Sequence, residues 1–192
     1  MSSTTASKDT NKQNQPRAPK PIAGPGAIRL GMALMAVGLL FAVPGARAET
    51  KLSAADKAFI LAAAQGGMTE VKLGELAGRK GTREDVKQFG RLMVKDHTAI
   101  NDDLKSLAAQ KCVTLSGNLD AKHQAMVDKM TALRVADFDN AYIAAMLKGH
   151  EADAEAFKAE SGETQDPDVK SFVDKSTPVV VDHLLQITGM KQ

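Results

Sequence analysis

VKQFGRLMVKDHTAINDDLKSL, residues 86–107, is the stretch whose reading decides the fold. Val86, Phe89, Met93, Ile100, Leu104 and Leu107 recur at steps that place them on one face of an α-helix. His97 stands in the same series, on the line that a helix buries. Three other stretches share this construction. Glu70 falls among Phe59, Ala63, Gly66, Leu73 and Ala77, and His150 among Phe138, Tyr142, Met146, Asp153 or Ala154, and Phe157. His183 falls among Val169, Phe172, Ser176, Val180 and Ile187. A buried ionised carboxylate costs several kcal/mol unless it is paired or metal-bound, so an inward Glu70 requires a partner.

Local signals set the helix limits. Ser53-Ala-Ala-Asp56 reads as a capping box opening a helix over 54–80, which Gly81 ends. Thr82-Arg-Glu-Asp85 reads as the start of a second helix over 83–110. A loop over 111–119 leads to a short amphipathic helix over 120–133, with Met126, Met130 and Leu133 on one side. A third long helix is expected over 137–160, stopped by Ser161-Gly162. Asp166-Pro167 opens the last, 167–188, which Pro178 should kink or split near Thr177. Gly66-Gly67 marks either a close helix approach or a local kink. So short a turn near Gly81 makes the first two long helices antiparallel, and the 26-residue link to the third can travel the length of the bundle. The expected fold is all-α: a ferritin-like four-helix bundle whose long crossover carries a short extra helix.

Residues 1–48 read as an export leader. A polar, basic stretch ending at Arg29 precedes the apolar run Leu30–Val43, then Pro44-Gly45 and Ala46-Arg47-Ala48, with cleavage expected after Ala48. The apolar run is shorter than the roughly 20 residues that span a bilayer, so no stable membrane anchor is expected after cleavage. Residues 49–192 then form a single domain, located in the periplasm or cell envelope. The leader takes 6 of 25 Lys/Arg and 1 of 23 Asp/Glu, so the remainder carries 19 basic against 22 acidic residues. That balance argues against nucleic-acid binding. The lone Cys112 cannot form an internal disulfide.

The chemistry of the stripe residues leaves two readings. Glu70, His97 and His150, with His183 if the register allows, suit a mononuclear divalent transition-metal site. The same residues also suit a metal-free network in which Glu70 hydrogen-bonds a histidine. Distances along each helix from the first turn place Glu70, His97 and His150 within about two turns of one another, with His183 the outlier. The Glu-x-x-His pattern of di-iron bundles is absent, because Val94, Leu147 and Val180 stand three residues before the histidines. Asp96 and Asp182, each beside a histidine, are expected at the stripe's flank. Glu151, Asp153 and Glu155 are expected on a solvated face, and His123 is expected to be exposed.

In order along the chain stand Asp56-Lys-Ala-Phe59, Glu70-Val-Lys-Leu-Gly-Glu-Leu-Ala77, Val86-Lys-Gln-Phe89 and Met93-Val-Lys-Asp-His97. Phe138-Asp139, Tyr142, His150, Phe157, Asp166-Pro167, Pro178 and His183 complete the series. Over 54–188 the chain resembles the bacterial family called domain of unknown function 4142. The resemblance implies a ferritin-like helical fold and an envelope location, and it carries no activity. The reading from sequence is an exported bundle that binds or protects rather than catalyses. Its rivals are a periplasmic metal-binding or redox protein and a protein-interaction module, with a protein partner or a homo-oligomer open.

Overall fold

The computed structural model describes residues 52–190; the expected leader and its cleavage site lie outside them. Five helices follow in order: α1 (Ala54–Lys80), α2 (Glu84–Gln110), α3 (Ala121–Ala132), α4 (Val135–Glu163) and α5 (Pro167–Gly189). No strand occurs among the described residues. Ser53 closes its capping box with Asp56 as expected. Asp166 caps α5 by accepting from the backbone N–H groups of Asp168 and Val169.

Contacts at the helix ends fix the topology. Asp139, near the start of α4, accepts from Thr82 and Arg83 in the α1–α2 turn. At the opposite end of α2, Lys111 pairs with Asp166 at 2.6 Å and Asp168 at 2.8 Å, where α5 begins. Arg83 also donates to the Met190 carbonyl, just past the end of α5. α2 and α4 therefore run parallel, and the segment carrying α3 returns the chain along the bundle. This is the long crossover that the sequence implied.

Four local expectations are corrected. Thr82 does not cap α2; its hydroxyl donates to Asp139, and Arg83 stands at the N-cap without a side-chain cap bond. The cap comes from α4 instead. Burial would raise the Asp139 carboxyl, but the bonds from Thr82 and Arg83 outweigh it and hold its pKa below the ordinary value. Ser161-Gly162 does not stop α4, which continues to Glu163; one helical glycine costs only about 1 kcal/mol. Pro178 does not split α5, which runs unbroken from Pro167 to Gly189. His123 is half-buried rather than exposed.

The α1 and α2 backbones approach closely at Gly74 and Gly90. A Cβ on Gly90 would stand 2.7 Å from the Gly74 carbonyl oxygen and 2.8 Å from the Ala77 Cβ. Of the Gly66-Gly67 pair, Gly67 is the close-contact residue, because a Cβ there would meet the Asn101 side chain; Gly66 faces open space.

Apolar packing divides into two clusters. Leu73, Val86, Phe89, Met93, Phe138, Tyr142 and Ile187 belong to one. Ile60, Leu104, Phe157, Phe172, Val173 and Val180 belong to the other. On each long helix the singled-out polar residue lies between the two: Glu70 between Ala64 and Leu73, His97 between Met93 and Leu104. His150 lies between Leu147 and Phe157, and His183 between Val180 and Ile187. One polar layer thus separates two hydrophobic cores.

Gly90→Ala should destabilise the domain by about 1–3 kcal/mol through overpacking, despite alanine's better helix propensity. Gly78→Ala, which meets nothing within 4 Å, should stabilise it by up to about 1 kcal/mol. Urea unfolding midpoints check the pair; equal shifts in one direction would contradict the close-approach account.

Candidate metal centre

The polar layer is assembled by all four long helices. Glu70, His97, His150 and His183 are all buried, the last two with no exposed surface. His97 Nδ1 lies 2.9 Å from Glu70 Oε2. His150 Nδ1 lies 3.0 Å from the Met146 carbonyl and 3.6 Å from Glu70 Oε1. His183 Nε2 lies 3.1 Å from Asp96 Oδ2. The ring centroids of the three histidines are separated by 5.2 to 5.6 Å.

His183 is therefore no outlier. Its expected height assumed that α5 ends level with the α1–α2 turn. Measured instead from the Lys111–Asp166 pair at the other end, His97 and His183 stand about 21 Å and about 26 Å along their helices, within one turn of each other. α5 stops short of the α1–α2 turn, and the long Arg83 side chain spans the gap to Met190.

Each imidazole has one nitrogen against an orienting acceptor, by a hydrogen bond for His150 and His183 and by close charge contact for His97. With Nδ1–H of His97 and His150 and Nε2–H of His183 as donors, the opposite nitrogens carry lone pairs. Those nitrogens are His97 Nε2, His150 Nε2 and His183 Nδ1. All three are buried and have no hydrogen-bond partner. One ligand nitrogen from each of the three histidines lies within 4.8 Å of the others. Three nitrogens bound to zinc at about 2.0–2.1 Å stand about 3.5 Å apart, so ring adjustments of about an ångström would bring the set to ligand spacing.

The electrostatics favour ligand-ready imidazoles. Burial pushes all three histidines below the ordinary value, His97 to about 4. They are neutral at neutral pH, the form that binds metals. Burial raises Glu70, with the nearby His150 opposing. Asp153 is pushed up to about 8, first by burial and then by the Glu70 charge. Asp153 thus stays protonated at neutral pH and hydrogen-bonds to Glu70. A cavity of ≈ 20 Å³ adjoins Glu70, His97 and Asp153, room for about one water molecule. Phe89 packs edge-on against His150 and His183, at 6.3 and 6.0 Å, and closes the layer on the side of the first core.

All four stripe residues meet, but Glu70 plays a different part from the histidines. Its oxygens face His97, His150 and Asp153 rather than joining the three-nitrogen set. Asp96 lies at the flank as expected, yet it reaches His183, and Asp153 is half-buried against Glu70 rather than on a solvated face. The Val-x-Asp-His run of 94–97 was the available signal for Asp96. The step of three from His150 was the signal for Asp153.

The model of a family described as "Domain of unknown function (DUF4142)" matches residues 41–190, and the chain belongs to that family. Among solved structures, a DUF305 fragment from Deinococcus radiodurans is similar in fold, with a TM-score of 0.64 at 9% identity. The match covers 74% of this chain and 98% of that one. No curated protein matches the sequence significantly. No helix among the described residues is long and apolar enough to cross a membrane.

The raised carboxyls give the metal-free protein a pH signature. A carboxyl with a raised folded pKa adds stability at low pH and loses it as pH rises through that value. Asp153, at about 8, and Glu160, at about 7, should make stability rise as pH falls from 8 to 6.5. Below 6.5 the depressed histidines oppose that trend, because the unfolded chain takes up their protons first. Asp153→Asn should remove about 1 kcal/mol of the gain between pH 8 and 6.5. Urea melts across that range test this; an unchanged slope in the variant would contradict the Asp153 assignment.

Proposed function

We propose that this member of a family of unknown function is a metal-binding protein that sequesters one late first-row transition ion in its bundle core. His97 Nε2, His150 Nε2 and His183 Nδ1 are the ligands. Glu70, the Met146 carbonyl and Asp96 orient them. The observation that carries this reading is three buried, partnerless imidazole nitrogens on three rings that bring one nitrogen each within 4.8 Å of the others, each opposite a nitrogen that lies against an acceptor. That arrangement is the usual surrounding of a histidine that ligates a metal.

A metal-free network explains the Glu70 side of the rings and leaves the other side without an account. An unsatisfied buried polar atom costs about 1–3 kcal/mol, and three of them are a heavy burden on a total stability of about 5–15 kcal/mol. An ion relieves all three at once. Neutral imidazoles suit zinc, copper, iron and nickel; among these, zinc readily adopts the low coordination number that three nitrogens and one further donor provide. Apolar cores lie on both sides of the layer, and the cavity beside His97 holds about one water, so the site favours retention over turnover. The leader expected over residues 1–48 would place this chemistry in the cell envelope.

The domain should bind one Zn2+ per chain, read by elemental mass spectrometry after dialysis. His97→Ala, His150→Ala and His183→Ala should each abolish stoichiometric binding. Glu70→Gln should keep the site but weaken it about 10–100-fold. Wild-type protein free of metal after exposure to zinc, copper, iron and nickel would overturn the reading.

A further inference from the structure

The three-histidine layer borders open space through Glu70, which lies against His97 and His150. Between α1, α3 and α4 lies a cavity of ≈ 310 Å³. Glu70 and Asp153 line its inner part, and Lys122, His123 and Met126 of α3 line it from outside. Its walls include Gly66 of α1 and Gly149 of α4, and a Cβ built on either would meet no atom within 4 Å. Two glycines in helix interiors cost about 1 kcal/mol each, and their packing neighbours do not require them. What they leave is open space beside Glu70.

α3 is held as a cover rather than as core. Met130 is its only buried residue. Polar bonds tether it to α1 near both ends: Gln65 bonds the backbone of Asn118 and Asp120, and Lys80 bonds the Thr131 carbonyl. A helix with so little buried apolar surface opens at low free-energy cost. His123 Nδ1 is fixed by Asp120 at 2.8 Å, which leaves Nε2 as its available donor atom.

We propose that this cleft is the route by which the cation reaches the three histidines, with His123 the first donor met and Glu70 the last. The inference rests on the metal-binding reading and adds to it a path and a lid. The path meets nitrogen and then oxygen donors, a set suited to a divalent ion of borderline softness. α3 controls the rate of entry and exit, while the three histidines set the affinity.

The test follows Co2+ loading of the whole domain by stopped-flow absorbance, with equilibrium affinity measured in parallel. Gly149→Leu and Gly66→Leu place a side chain in open space and should slow loading and release together by about tenfold or more, leaving affinity nearly unchanged. His123→Gln, at a half-buried position outside both cores, should slow loading without altering the final spectrum. Unchanged loading rates in all three variants would overturn the route while leaving the metal site standing. Wild-type protein that takes up no Co2+ would overturn both.

Discussion

Burying the Glu70 carboxylate sets the terms for the middle of this bundle. A carboxylate removed from water must be paired or hydrogen-bonded, or it takes up a proton. His97 from α2, His150 and Asp153 from α4 supply those interactions. Because the partners sit on different helices, satisfying one charge fixes the relative heights of α1, α2 and α4. His183 adds α5 through Asp96 on α2. The two hydrophobic cores on either side supply burial energy but little register, since apolar contacts are non-directional. The polar layer supplies the register.

The same layer has one side that hydrogen bonding explains and one that it does not. Toward Glu70, Met146 and Asp96, every ring nitrogen is occupied. On the other side, one nitrogen of each ring is buried with no hydrogen-bond partner. Protonating the rings would bury positive charge and leave N–H groups without acceptors; burial depresses all three pKa values, and neighbouring histidines add to it for His150 and His183. A cation held by neutral rings, with Glu70 and Asp96 behind them, would resolve that conflict.

Much of this was legible in the sequence where the cause was local. The capping box at Ser53 and Asp56 and the Asp166-Pro167 start are short-range signals, and both helix starts lie where those residues put them. The long crossover followed from counting residues. Membership of Glu70, His97, His150 and His183 in the buried stripes followed from helical period alone. What escaped depended on distant neighbours. Asp139 caps α2 from 56 residues away in sequence, so Thr82 looked like the cap. His183 seemed out of reach because no sequence signal shows where α5 stops relative to the turn. Asp96 and Asp153 sit about 100° from their helices' centre lines or one step along them, and only the facing helix decides whether such a residue meets solvent or a ring. The Gly74–Gly90 crossing was hidden for the same reason: each glycine is unremarkable until the other helix is placed.

The most direct test of the account is X-ray absorption at the zinc edge of the zinc-loaded domain. Three imidazole nitrogens at about 2.0–2.1 Å, with the multiple-scattering pattern of histidine rings, is the predicted first shell. A first shell dominated by carboxylate oxygens, or one whose imidazole scattering survives in a variant lacking His97, His150 and His183 together, would contradict it.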